Sequence, residues 1–294
     1  MIAVTGCTGF LGFHFLKALQ ERSIPAVLLI RAGSPHENRL EESAFTRFAV
    51  DFNRPESIAS ALRGCEILVH ILGLINGSEQ ALEEANVKIT QRVVDAAAEA
   101  GIQKIIYISS AAAIHPHGSY GRSKAKGEEI LRASGIPYLI FRPAYIYGKG
   151  DENNTELMIR IIKHFPIIPL LGGGDFKIQP VYIDDVVDLV IQGLFFSRIN
   201  QIYTVAGPEK IALRAMFRIV VQRLGLTRWF LPIPLKPVQW FLRAFYFLFS
   251  RTRIPVKQIL ELDTHKCFDI SETCRDFKFD PIPFEEGAEL MFRP

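Results

Sequence analysis

The chain has 294 residues, 49% of them hydrophobic and 22% charged, with a formal net charge of +3. At roughly 150 residues per domain, that length suits two domains, or one large α/β domain with an appendage, and needs no disulfide or metal staple. The composition excludes a disordered chain, a collagen-like repeat and a disulfide miniprotein, and the near-neutral charge argues against nucleic acid as a partner. Cys7, Cys65, Cys267 and Cys274 show no CxxC spacing and no ligand-spaced histidines, so no metal is expected, and a reducing, cytoplasmic setting is. MIAVTGCTGFLG starts a strand at once, with no room for a cleavable leader, so export is not expected.

In chain order, β-branched runs at Ile2–Thr5, Ala26–Ile30, Thr46–Val50, Ile67–His70, Lys104–Ile108 and Tyr138–Phe141 read as strands. Helical patterns lie between them at Leu11–Glu21, Pro55–Arg63, Ala81–Ala100 and Ser123–Ala133. Such alternation predicts an α/β fold, a Rossmann-type doubly wound parallel sheet, over residues 1–150. Residues 151–294 read as a smaller, discontinuous C-terminal lobe. A helix at Glu156–His164 is followed by the Pro/Gly-rich Phe165–Asp175 and a strand at Ile178–Tyr182. Asp184 or Asp185 then caps a helix to about Phe196, and one strand and helix near 178–196 return to the sheet.

On a parallel sheet, ligands bind beyond the carboxyl ends of the strands. Thr5-Gly6-Cys7-Thr8-Gly9-Phe10-Leu11-Gly12 lies there, after the first strand and before the first helix. Gly6 permits the tight turn, Gly9 lets the backbone approach a pyrophosphate, and Gly12 lets the helix pack closely on the sheet. The second strand ends at Ile30-Arg31, with Arg39 nearby, where an NAD-preferring site would carry an acid. A guanidinium suits a 2′-phosphate, so NAD(P) is expected with a lean to NADP. Tyr120 and Lys124, four apart, stack on one helical face, where an ammonium would pull the phenol pKa down for proton exchange with a substrate oxygen.

These motifs, in this order, resemble the extended short-chain dehydrogenases/reductases of the NAD-dependent epimerase/dehydratase kind. TGCTGFLG resembles their TGxxGxxG turn, and YGRSK their tyrosine–lysine motif. Further matches are HILGLI at 70–75, NVKIT at 86–90, FRPAYIYG at 141–148 and YIDDV at 182–186. The resemblance implies that Gly6, Gly9, Phe10 and Leu11 surround the pyrophosphate and that Asp51 and Phe52 meet the adenine. It puts Ile71, Leu72, Gly73, Asn86 and Pro143 against the cofactor, with Lys124 also holding the ribose. It places a Ser or Thr after the fifth strand to bond the reacting oxygen. Counting from the strand gives Ser110, and counting back from Ile114-His115 gives Ala111.

Three departures narrow the substrate. Only nine residues separate Ser110 from Tyr120, Tyr145 stands where sugar-nucleotide enzymes often have Asn, and no Asp-Glu pair follows Ser110. Dehydratase chemistry is therefore disfavoured. The compact Ser110–Tyr120 stretch also resembles an atypical branch that includes the dehydrogenase-like accessory subunit of respiratory complex I, whose members can bind a nucleotide without turnover.

Between Glu209 and Glu261 there is no acidic residue but ten basic ones, interleaved with Trp229-Phe230-Leu231 and an aromatic run over Val238–Phe249. The run is too short to span a bilayer. It suits a helix lying in a membrane surface through 228–257, at the inner face of the membrane, or a lobe helix covering a substrate pocket or a homodimer face. His115, His117, His14, Gly172–Gly174, Glu128 and Glu129 read as turn, packing or solvated positions. The expected function is hydride transfer, as an oxidoreductase or epimerase, on a sugar-nucleotide, lipid-linked sugar or sterol-like substrate. Tyr120 is the acid/base, Lys124 tunes it and Ser110 orients the oxygen; the rival is a silent NADP(H)-binding assembly subunit.

Overall fold

Runs of Ile, Val and Leu that are apolar on both strand faces assemble into a buried parallel sheet, since such strands exclude water from either side. In the computed structural model, which describes residues 1–34, 37–40, 44–151, 154–238 and 267–293 (for 38 and 39 the backbone alone), these runs are β1 Ile2–Thr5, β2 Ala26–Arg31, β4 Ile67–His70, β5 Lys104–Ile108 and β6 Tyr138–Pro143, joined at the edge by the mostly exposed β3 Thr46–Val50. A later strand, β11 (Gln201–Val205), completes a seven-stranded sheet in the order β11-β6-β5-β4-β1-β2-β3, parallel throughout. The strand order reverses between β1 and β4, which opens a crevice beyond their carboxyl ends.

Helix α1 (Phe10–Glu21) packs with α7 (Ile183–Phe195), while α2 (Pro55–Leu62), α4 (Ile89–Glu99) and α5 (Ser119–Ala133) pack in series. Val50, Phe52, Ile58, Leu62, Leu68, Val93, Ile105, Tyr107 and Leu131 are buried in one shared core. The helix expected over Ala81–Ala100 is instead α3 (Glu79–Glu83), a π turn at Glu84–Lys88 and then α4. The helix expected from Ser123 begins at Ser119, because extended Gly118 ends the preceding loop one turn earlier.

The chain divides into two compact units, one of Met1–Ala144, Ile183–Val205 and Asp269–Phe279, the other of Tyr145–Tyr182, Ala206–Phe268 and Asp280–Pro294. This differs from a division at residue 150. β11 hydrogen-bonds along β6, Ala144 N donates to Val205 O at 2.8 Å, and α7 lies on α1, so 183–205 belongs to the sheet unit. Helix α9 (Ser271–Phe277) joins it: Thr273 donates to Thr204 O at 2.7 Å, Tyr203 donates to Asp276 at 2.8 Å, and Phe277 stacks on Phe196. Asp184 and Asp185 sit in the first turn of α7, which starts at Ile183, rather than capping it.

Among the described residues the second unit has three two-stranded sheets: β7 (Tyr145–Tyr147) with β10 (Pro180–Tyr182), β9 (Lys177–Ile178) with β12 (Ile211–Ala212), and β8 (Ile167–Leu171) with β13 (Trp229–Ile233). The strand expected over Ile178–Tyr182 is broken at Gln179, whose buried amide donates to Gly207 O at 2.7 Å and accepts from Phe268 N at 2.8 Å. Among the described residues the unit also has helices α6 (Thr155–His164), α8 (Leu213–Arg223) and α10 (Phe284–Phe292), and Phe284 packs on Tyr147 with ring centroids 4.8 Å apart. Residues 229–233, expected in an interfacial helix, form strand β13; most of 228–257 lies outside the described residues. Among the described residues no helix is long and apolar enough to cross a membrane.

Candidate functional site

The glycine turn follows β1. Gly6 has φ +75°, and a Cβ there would come within 2.7 Å of Leu72 Cα. A Cβ on Gly12 would fall 2.7 Å from Cys7 Cα, so neither position tolerates a side chain. Helix α1 opens with no capping side chain and no acidic residue in its first turn. Its first N–H groups and the positive end of its dipole therefore suit an anion such as a pyrophosphate. Gly9 is exposed, Phe10 half-buried and Leu11 buried. Burial pushes the Cys7 thiol up to about 11, which makes it a packing residue rather than a nucleophile.

Arg31 is exposed at the end of β2, and Ser34 in the following loop donates to Thr8 of the glycine turn at 3.4 Å. Asp51 is exposed after β3 and accepts from Asn53 N, while the Phe52 side chain is only 3% exposed and packs in the core. Phe52 therefore offers backbone rather than ring to any adenine. Arg39 lies outside the described side chains.

The loop after β4 carries Ile71, Leu72 and Gly73. A Cβ on exposed Gly73 would lie 3.1 Å from Asn86 Oδ1 and 3.5 Å from Lys124 Nζ, so only glycine leaves this approach open. Buried Asn86 sits in the π turn. It accepts from Leu74 N at 2.7 Å and donates to Leu74 O at 2.8 Å and to Ser123 Oγ at 2.9 Å. Both of its N–H donors are thus used in tying the β4 loop to α5. It braces the loop that the resemblance puts against the cofactor.

Ser110 ends the segment after β5, and its hydroxyl accepts from Ala112 N at 3.2 Å. The same hydroxyl is near enough to the Tyr120 phenol to favour its ionised form. Ala111, the other candidate by counting, is buried and has no hydroxyl. Gly121 allows the close packing that sets Tyr120 there: a Cβ at Gly121 would come within 2.5 Å of Ala112 O. Lys124, 3% exposed, donates to Ile108 O at 2.7 Å and lies 4.3 Å above the Tyr107 ring centroid. Burial lowers its pKa to about 7, opposed by the charge of Glu128. The Tyr120 phenol is not pulled down as expected. Desolvation raises it, and the nearby Ser110 hydroxyl only partly offsets that.

Glu128, read from sequence as a solvated residue, is 2% exposed. It accepts from Ser109 Oγ at 2.5 Å and pairs with Arg142 through Nε at 2.8 Å and Nη2 at 2.5 Å. Tyr120, Lys124 and Glu128 form one face of α5 at successive four-residue steps, a spacing that could have flagged Glu128. His70 is also fully buried, between Thr5 Oγ1 at 2.7 Å and Thr90 Oγ1 at 3.2 Å and stacked on Tyr107. Burial first, then the Lys124 charge, lowers its pKa to about 3. Pro143 is buried at the end of β6, and His115 and His117 are exposed in the loop before α5. Among the described residues no group of three His, Cys, Asp or Glu side chains could hold a metal.

A family model described as the NAD dependent epimerase/dehydratase family matches residues 2–206. The chain is 32% identical over 191 residues to a ceramide reductase of Caulobacter vibrioides, covering 63% of this chain and 58% of that protein. It is 25% identical over 271 residues to subunit 9 of the NADH dehydrogenase 1 alpha subcomplex of Arabidopsis thaliana, covering 88% of this chain and 67% of that one. A solved UDP-glucuronic acid 4-epimerase from Bacillus cereus, in complex with NAD, superposes with a TM-score of 0.78 at 18% identity, covering 98% of this chain and 96% of that one.

Proposed function

The chain belongs to the NAD dependent epimerase/dehydratase family, and from that premise we propose a hydride-transfer enzyme acting at a carbonyl or carbinol carbon of an apolar or lipid-linked substrate. The observation that carries this reading is Tyr120 and buried Lys124 on one face of α5, with Lys124 fixed to Ile108 O at the carboxyl end of β5, next to the Ser109-Ser110 segment. Gly6, Gly9, Phe10, Leu11 and Gly12 would hold the pyrophosphate of a nicotinamide dinucleotide on the first N–H groups of α1. The backbone at Asp51 and Phe52 and the loop Ile71–Gly73 would flank the rest of the molecule. Arg31, exposed at the tip of β2, would favour a 2′-phosphate and hence NADP. When bound, the dinucleotide supplies or accepts the hydride.

Ser110 would orient the substrate oxygen and Tyr120 would give it a proton. A phenol whose pKa burial raises stays protonated at neutral pH, so the site is better prepared to donate than to abstract, which favours reduction of a ketone. Lys124, near 7, is poised to return the proton. Tyr145, the short Ser110–Tyr120 stretch and the likeness to a ceramide reductase support an apolar ketone over a sugar nucleotide.

The test is oxidation of NADPH by purified protein with long-chain keto-lipids, 3-ketosteroids and UDP-sugars. Turnover with apolar ketones that Tyr120→Phe abolishes is expected. Turnover with UDP-sugars alone would make the protein an epimerase. The complex I likeness favours a second reading, a nucleotide-binding subunit without turnover. On that reading Tyr120→Phe changes neither cofactor binding nor cellular phenotype.

A further inference from the structure

In the second unit, β8 and β13 pair in register, Trp229 beside Ile167 and Leu231 beside Pro169. Alternation turns Ile168 and Leu170 inward, 1% and 3% exposed, and leaves Ile167, Pro169, Trp229 and Leu231 on the outer face. The outer positions of a half-buried sheet are ordinarily polar. Here Trp229 is 76% exposed, Phe165 57%, and Ile167 and Leu231 53% each.

The two segments that build this face carry basic and no acidic side chains, and Asp175, near Pro232 of β13, is paired with Arg214 at 2.8 Å. No acidic residue occurs from Leu157 to Gly174 or from Lys210 to Val238. Arg160, Lys163 and Lys236 are exposed. Arg228 is fixed at the head of β13 by donating to Ile162 O at 2.5 Å and Lys163 O at 3.2 Å, next to the Trp229 N to Pro166 O bond at 3.0 Å. An isologous contact with a second copy would bring these cations together. An anionic surface would neutralise them while burying the apolar side chains, and tryptophan among cations is suited to the headgroup level of a bilayer.

We infer that the outer face of β8–β13, with Arg160, Lys163, Arg228 and Lys236, docks on an anionic lipid bilayer. The inference deepens the apolar-substrate reading by naming the surface from which such a substrate would be drawn. Vesicle binding is measured without substrate or turnover, so the two readings can fail separately.

Trp229 and Trp240 are the two tryptophans of the chain, so the full-length Trp240→Phe variant reports on Trp229 alone. With vesicles of phosphatidylcholine and phosphatidylglycerol at low salt, Trp229 emission should shift to the blue and be quenched by brominated acyl chains. Flotation should fall several-fold in high salt and be absent from pure phosphatidylcholine. The double variant Trp229→Ser/Leu231→Ser should lower partition at least tenfold, and Lys163→Ser/Lys236→Ser about as much, since each basic group near such a surface is worth about fivefold. NADPH binding by these variants, measured in parallel, should equal wild type, which shows that they are folded. Three results would overturn the proposal: no flotation of the wild type, flotation of the double variants equal to wild type, or a wild-type oligomer that Trp229→Ser/Leu231→Ser dissociates, which would mark a protein contact.

Discussion

Glu128 receives both arms of the Arg142 guanidinium, Nε at 2.8 Å and Nη2 at 2.5 Å, while its own helix carries Lys124 one turn earlier. One carboxylate thus links β6 to α5 and lies on the same helical face as the candidate catalytic pair. Its neighbour on the β5 side, Ser109, precedes Ser110, the candidate partner of the reacting oxygen. Removing one member of a buried ion pair leaves the other charge uncompensated, at a cost of about 3–5 kcal/mol. Glu128→Ala should therefore lower unfolding free energy by about 3 kcal/mol in urea titrations, because Arg142 keeps some access to water. A loss below about 1 kcal/mol, in the range of an exposed pair, would contradict this.

Two buried bases set the pH dependence of stability, and in both the folded state favours the neutral form. Lys124 titrates at about 7 in the fold and near 10.4 when unfolded. Between those values the unfolded chain binds the extra proton, so stability rises with pH from about 7 to 10. His70 titrates at about 3 in the fold and near 6.5 unfolded, so its contribution is full above about 6.5 and is lost as pH falls towards 3. Urea titrations at about pH 4, 7 and 9 check both arms. Lys124→Met should flatten the alkaline arm and leave the acid arm in place.

Tyr120→Phe keeps the ring and removes the proton. Turnover should fall by roughly two to four orders of magnitude while NADPH affinity stays within about twofold. Ser110→Ala should cost about a hundredfold, as the loss of a fixed donor to a reacting oxygen does. Measured kcat and binding constants for the two variants decide whether Ser110 acts on the substrate oxygen or only on Tyr120.

Arg31 should set cofactor preference. A charge-assisted bond to a 2′-phosphate contributes about 1.5–3 kcal/mol, so NADPH should bind at least tenfold more tightly than NADH. Arg31→Ala should abolish that preference through NADPH alone. Purified protein that retains NAD(H) and does not exchange it would contradict the assignment.

Five of the six strands that precede Ala144 were readable because buried parallel strands are largely apolar runs, and edge strand β3, Thr-Arg-Phe-Ala-Val and mostly exposed, by its β-branched and aromatic residues. β11 was not, since Gln201 and Thr204 interrupt its pattern and its partner β6 lies some sixty positions earlier. The glycine turn, Tyr120 and Lys124 carry local spacing and could be read directly. Glu128 looked solvated because a neighbouring glutamate and Arg132 give that helix a charged surface, and its true partner, Arg142, comes from another element. Asn86 was found by its motif, but its bonds to Leu74 were not, because the π turn that aims its amide there leaves no mark in composition.

The interleaving of the two units carries a cost during synthesis. β6 is complete at Pro143, but β11, the strand that covers its edge, is complete only at Val205. At 5–20 residues per second, the ribosome leaves that edge open for roughly 3–12 seconds. Throughout that interval Leu139, Ile140 and Phe141, none of them accessible in the finished protein, border an unpaired strand of the kind that recruits other strands. A nascent chain stalled inside this window would need a chaperone to shield it. Ending the chain near residue 150 would make the exposed edge permanent and yield an aggregating fragment rather than an autonomous nucleotide-binding domain.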